Sequence, residues 1–343
     1  MKRALLLLAV LGVVFTACRR IPMFEATSGV YMRLKLELEQ EQQFGEVVDF
    51  NTHPELLEKV NGKKPEIVRV CFYDAVSHEL VAEDFLPPEG GFVNVASGDY
   101  DVIIYSLGTS VTQVEGTSTR GGAYAFTSRT GTKLKVVGGP ADSVKGTGDE
   151  DPEVEGGDGQ PVIYEPDHIF TGRIADASIP VHTEGEAGAV VLESELKRFT
   201  ESWSLEVLAV EGAEHIAGVN AYLTGQAAGH YLWDRRSTNH PASLVFPLVV
   251  DVSKGQLWTV FNTFGKFPQA ESDVIVYILV TTTGGARCSF IFDVTEQWTN
   301  PDNTAHRIVI EDLLEIPDDS YSGSGFEPVV SDWDGEEIEV IVE

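Results

Sequence analysis

The stretch "PEIVRVCFYDAVSHELVAEDFLPPEGGFVNVASGDYDVIIYSLG", Pro65 to Gly108, decides the fold. After Pro65 a run of β-branched and aromatic residues, Ile67 to Tyr73, reads as a strand. "HELVAEDFL" (His78 to Leu86) supplies a second. Gly90-Gly91 opens a third, and the turn signal Ser97-Gly98-Asp99 joins it to a fourth that ends before Gly108. No helical period runs through the stretch, so short strands separated by turn residues are its organising unit.

The same pattern extends in both directions. In "VYMRLKLELE" (Val30 to Glu39), Val30, Met32, Leu34, Leu36 and Leu38 share one face, and Tyr31, Arg33, Lys35, Glu37 and Glu39 the other. That alternation is a half-buried strand. Downstream, "HIAGVNAYLTGQ" reads as a strand or a short helix. "ASLVFPLVVDV" reads as a strand that Pro247 confines to an edge or a bulge. "DVIVYILVTTTGGARCSFIFDVT" is a hairpin turned at Gly284-Gly285, with Cys288, Phe290 and Phe292 on one face of the return strand. "HRIVIEDLLEIP" and "EEIEVIVE" supply late strands, and "HPELLEKVNG" (His53 to Gly62) is a short helix ending on a C-cap glycine. The result is an all-β chain of two tandem β-sandwich domains, expected at 29–185 and 186–343 after a linker over 18–28. The first carries an acidic, Gly-rich loop over 140–161 and the second an acidic tail.

The N-terminus reads as an address. Met1-Lys2-Arg3 precedes an apolar run from Ala4 to Phe15, too short for the ~20 residues that span a bilayer. Thr16-Ala17-Cys18 then has the form of a bacterial lipobox, so residues 1–17 are a lipoprotein signal peptide and Cys18 carries covalent lipid. No other cofactor is expected. Arg19-Arg20 leaves open whether the protein faces the cell surface or the periplasm.

With 54 Asp and Glu against 24 Lys and Arg, the net charge is −30, which excludes nucleic acid as a partner. Cys71 and Cys288 sit in apolar strand-like runs and are expected as free thiols. Zinc spacing, H-E-x-x-H and G-x-S-x-G are absent from the sequence, so no catalytic or metal site is expected. One loop stands out chemically. "HYLWDRRSTNHPAS" (His230 to Ser243) gathers Trp233, Arg235, Arg236 and Asn239 in an otherwise acidic chain. Two readings stand: a ligand or partner loop taking a sugar or a protein, or a Trp packed on its own sandwich with arginines paired to local acids.

The Pro65–Gly108 stretch, with Val95, Gly98, Tyr100, Val102, Ile104 and Tyr105 in a v-x-G-x-Y-x-v-x-v-Y pattern, resembles fimbrillin-type lipoproteins of Bacteroidales. "AYLTGQ", "SFIFDVTEQWTNP" and "HRIVIEDLLEIP" resemble a second-domain signature of one group of them. The resemblance implies transthyretin-like, Greek-key sandwiches and a lipid-anchored outer-membrane protein. It implies a fimbria-associated anchor or an accessory or adhesion subunit without catalytic activity, with fimbrial subunits as partners. The alternative is a glycan- or ligand-binding surface lipoprotein. Some relatives polymerise by strand donation after cleavage at an Arg or Lys; Arg120 in "TSTRGG" reads here as an ordinary loop residue, and the acid load of "EEIEVIVE" suits a hydrophobic plug poorly.

Overall fold

The computed structural model describes residues 27–37, 44, 52–134, 160–181, 190–238, 240–268 and 273–318. In chain order the first strands are β1 (Thr27–Leu36), β2 (Val68–Asp74), β3 (Leu80–Leu86), β4 (Gly90–Ala96), β5 (Gly98–Ser106), β6 (Thr112–Glu115), β7 (Tyr124–Thr127), β8 (Arg129–Leu134), β9 (Gln160–Tyr164), β10 (Phe170–Ile179) and β11 (Val190–Arg198). Then come β12 (Glu201–Glu211), β13 (Ile216–Ala227), β14 (Gly229–Tyr231), β15 (Pro241–Pro247), β16 (Val249–Asp251), β17 (Gln256–Thr263), β18 (Ile275–Thr282), β19 (Arg287–Asp293) and β20 (Arg307–Glu315). Among the described residues two α-helices, α1 (Pro54–Asn61) and α2 (Thr295–Thr299), and a 3-10 turn at Ala213–His215 interrupt them. The expected signal peptide, Cys18, Asn239, the acidic loop up to residue 159 and the tail from 319, with the strand expected at "EEIEVIVE", lie outside the described residues.

The first sandwich is one seven-stranded sheet, ordered β3-β2-β5-β10-β11-β1-β4, folded over on itself. The fold line is β10–β11, which pair only at Phe170–Arg198 and Thr171–Lys197. The alternation in β1 sets its inner face: Val30, Met32 and Leu34 meet Val70, Phe72, Val102 and Ile104 from the opposite half in one core. On the outer face Arg33 pairs with Glu193 and Lys35 with Glu195 across the parallel β1–β11 register. Such exposed pairs contribute little stability. The Ser97-Gly98 turn does join two strands, but they do not pair with each other. It carries the chain from β4, at the sheet's end beside β1, to β5 between β2 and β10 in the other layer.

Gly90, which opens β4, shows how tightly that end is made. Its φ is +102°, and a Cβ there would stand 2.0 Å from the Met32 carbonyl oxygen of β1. Gly90→Ala is therefore expected to cost more than about 2 kcal/mol, since the strained dihedral adds to a clash with backbone that cannot rotate away. A urea melt checks this; an unchanged midpoint would contradict it.

The second sandwich packs a four-stranded sheet, β16-β17-β12-β20, on a six-stranded one, β19-β18-β13-β15-β9-β8. Leu205, Val207 and Phe261 from the first meet Ala221, Leu223, Phe246 and Ile278 from the second. The β18–β19 hairpin forms as expected, turned at Gly285 with φ +94°, and Cys288, Phe290 and Phe292 pack against this core. "HIAGVNAYLTGQ" is strand from Ile216 on, within β13, with His215 closing a 3-10 turn before it. Pro247 sits neither on an edge nor in a bulge. It ends β15, an inner strand of its sheet, two residues past the last pairing with β9 at Val245, and the next residue, Leu248, donates its N–H to the Val219 carbonyl of β13 at 3.3 Å. The helix read at 53–62 is α1; Gly62, with φ +78°, donates its N–H to the Glu58 carbonyl at 2.8 Å. Leu56 and Val60 of α1 pack with Phe44 on Val260 of β17.

The expected boundary at 185/186 does not coincide with the sheets. β11, beyond it, belongs to the first sandwich, where Leu196 is buried. β8 and β9, before it, extend the second. The reason is apolar character on both faces of β9: Ile163 enters the second core, and Val162 packs against Tyr277 on the sheet's other side. β1 also begins two residues before the expected start of the first domain, at Thr27.

A third layer, the three-stranded sheet β14-β7-β6, covers the outer face of β2 and β5. It buries Cys71, Tyr73, Ile103 and Tyr105 against Ala123, Ala125 and Leu232. Cys71 and Cys288 are free thiols, and burial pushes the Cys71 thiol up to about 11, which makes it inert.

Candidate functional site

The Trp233 loop is a tight turn off the end of β14. The Tyr231 carbonyl accepts the Arg235 N–H at 2.9 Å, and the Tyr231 N–H returns to the Arg236 carbonyl at 2.8 Å. Asp234 accepts the Arg236 N–H at 3.0 Å, and Arg235 adopts a positive φ of 58°. His230, just before the turn, meets Ser237 Oγ at 3.0 Å through Nε2 and is held neutral, near 4, by burial and by the charge of Arg235.

The turn gathers guanidinium groups from distant segments. Trp233 is half-buried against the third-layer core, with the Arg120 guanidinium 4.6 Å from its ring centroid. Arg120 in turn pairs with Asp101, a carboxylate of β5 only 3% exposed that also accepts the Asp176 N–H at 3.2 Å. These contacts anchor the side chain of Arg120. Arg173 Nη1 donates to the Trp233 carbonyl at 2.6 Å. Arg235 lies 5.3 Å from the Phe199 ring and Arg236 4.4 Å from the Tyr231 ring, with Arg236 Nε 3.7 Å from Asp234. Burial, then the charge of Arg173, hold Arg235 below its ordinary value. Trp233, Arg235 and Arg236 thus come together as the sequence grouped them. Arg120, Arg173 and Phe199 complete the cluster, and no local pattern in the sequence marks them.

A second polar centre lies where the sandwiches meet. A cleft of about 710 Å³ opens between α1, the end of β5 and the segment 164–168. Glu165 pairs with Lys59 Nζ at 2.8 Å and accepts the Asn262 N–H at 2.7 Å, and burial raises its pKa. Asp167 accepts the N–H groups of Ser110 at 2.6 Å and Val111 at 2.5 Å. His168 bonds Thr200 Oγ1 at 2.5 Å and Ser202 Oγ at 3.2 Å, and the Ser202 hydroxyl donates to Asn262 Oδ1 at 2.8 Å. Burial pushes His168 down to about 4, so it is neutral at physiological pH. These groups fasten the interdomain segment to both sandwiches. No local pattern in the sequence marks them.

Among the described residues, no three His, Cys, Asp or Glu side chains converge as metal ligands, and no helix is long and apolar enough to cross a membrane.

Two sandwiches whose strands interleave in chain order around a polar junction, with a third layer carrying an arginine-rich turn, define a tandem β-sandwich protein. Residues 57–247, more than half of the chain, match the family described as domain of unknown function DUF5119, and the chain belongs to that family. No curated protein matches it in sequence. Among solved structures it is similar to a "putative adhesin" from Bacteroides ovatus, with 19% identity and a TM-score of 0.52 over 85% of this chain and 94% of that one. A second "putative adhesin" from Bacteroides ovatus aligns with 11% identity and a TM-score of 0.48 over 83% and 88% of the two chains. The fimbrial anchor protein Mfa2 from Porphyromonas gingivalis aligns with 10% identity and a TM-score of 0.48 over 82% and 90%. The first of these likenesses establishes the shared tandem-sandwich fold.

Proposed function

We propose that this chain is a lipid-anchored envelope protein acting, without catalysis, as an adhesion or fimbria-associated subunit. The observation that carries the reading is the fold, shared over 85% of this chain and 94% of the Bacteroides ovatus protein described as an adhesin. The chemistry of the buried polar groups agrees with it. Glu165, Asp167, His168 and Asp101 are each engaged by partners that hold segments together, which is the use a scaffold makes of them. Cys18, at the lipobox, supplies the anchor, and two or more acyl chains hold a protein on a membrane durably.

Two measurements test the two halves of this reading. Cys18→Ser is expected to move the protein from the membrane to the soluble fraction and to abolish incorporation of labelled fatty acid; continued membrane retention would remove the anchor. Pull-down with the fimbrial subunits of its host is expected to recover them with the wild-type chain, and failure to do so would remove the fimbrial role.

A further inference from the structure

The turn at 231–236 is out of character with the rest of the chain. Acids outnumber bases 54 to 24, yet four of those bases, Arg120, Arg173, Arg235 and Arg236, surround one short turn. Two of them have a carboxylate close by: Asp101 for Arg120 and Asp234 for Arg236. Among the described residues, neither Arg173 nor Arg235 has one within 4.0 Å, although Glu201 acts on Arg235 from farther away. Like charges placed together cost free energy, and a chain with so many acids has the means to neutralise them. An Arg at positive φ adds backbone strain at the same point.

The ring contacts place these groups. Arg235 sits over Phe199 and Arg236 over Tyr231. A guanidinium matches a planar, two-oxygen acceptor, and a carboxylate is the acceptor of that shape. Beside Arg236 the aromatic row continues along the third-layer sheet. Tyr231 lies 5.8 Å from Tyr124, and Tyr124 lies 5.2 Å from Phe126, all three rings half-buried. The Tyr124 hydroxyl is occupied by Glu115 at 3.1 Å, which fixes that ring in place.

We propose that the arginine turn at 231–236 and the adjoining Tyr231–Tyr124–Phe126 row form a binding site for an acidic polysaccharide, the guanidiniums taking uronic-acid carboxylates and the rings taking sugar faces. A sugar chain uses both halves of the surface, whereas an acidic peptide would use the cations and leave the row unfilled. The proposal goes beyond the adhesion reading and requires neither the lipid nor fimbrial partners.

The test is calorimetric titration of the full chain with three probes: oligogalacturonate, the same oligomer with its carboxyls reduced, and polyglutamate. Oligogalacturonate is expected to bind, more weakly as salt is raised, and the other two to bind at least about tenfold more weakly. Arg235→Gln is expected to weaken oligogalacturonate binding by about tenfold or more while leaving the melting temperature unchanged or higher, because it relieves the like-charge contact. Arg236→Gln, at the Tyr231 end of the site, is expected to weaken it in the same direction. Failure of oligogalacturonate to bind, equal binding of either control probe, or an Arg235→Gln variant that melts lower and binds as before would overturn the proposal.

Discussion

Replacing Trp203 by alanine is expected to destabilise the protein by about 3–5 kcal/mol, near the top of the range for a single core substitution. Trp203 is the centre of a ring stack in the second sandwich. Its indole lies 3.9 Å from the Trp298 ring and 4.6 Å from His306, nearly parallel to both. Trp298 leads on to Phe261 at 6.3 Å, and Phe261 stacks on Phe246 at 4.1 Å. Trp203 comes from β12, Trp298 from α2 and Phe246 from β15, so the stack ties together both sheets and the short helix between β19 and β20. Truncation would leave a cavity walled by rings that cannot close on it, because β12 is held by β17 on one side and β20 on the other. A urea titration should show a lower midpoint with an unchanged slope. The Trp203→Ala, Trp298→Ala double-mutant cycle should show coupling of about 0.5–1.5 kcal/mol. A single-mutant loss below about 1 kcal/mol would mean that the stack is loosely packed.

That α2 went unread in the sequence while the strands around it were legible has a physical cause. Alternation reports that a segment is a strand and which face is buried, as in β1 and the β18–β19 hairpin, whose partners are neighbours in the chain. It does not report a distant partner. The parallel pairings β1–β11, β15–β9 and β12–β20 join segments far apart in sequence, so the interleaving of the sandwiches was invisible although each strand was visible. The third layer was hidden differently. β6 and β7 are four residues each, set in Gly, Ser and Thr whose turn chemistry dominates the local reading. α2 has five residues, too few for a helical period.

The arginine turn was half legible for a related reason. Trp233, Arg235 and Arg236 stand out by composition in an acidic chain. Arg120 and Arg173 look like ordinary loop and strand residues until the third layer folds over β5 and brings them to the same turn. The junction at Glu165, Asp167 and His168 was illegible because its partners are mostly backbone N–H groups and hydroxyls, which carry no sequence signature.

His168 makes that junction measurable through pH. Free histidine titrates near 6.5, and burial holds His168 near 4 in the folded chain, with the Arg198 charge acting in the same direction. Between those values the unfolded chain binds a proton that the folded chain does not, so acidification favours unfolding. The stability is complete above about pH 6.5, falls as the pH drops toward 4, and the loss levels off once the folded histidine itself protonates. The full loss is about 3.5 kcal/mol, from a shift worth ~1.4 kcal/mol per unit. His230, also held near 4, adds to the slope in the same direction. Carboxylates titrate in the lower part of this window, so the informative quantity is the difference between wild type and His168→Gln. The variant is expected to be less stable than wild type at pH 7 through its altered bonds to Thr200 and Ser202, and to close that gap as the pH falls to 5. Parallel stability profiles for the two proteins would show that His168 takes up its proton without resistance and that the junction is open to water.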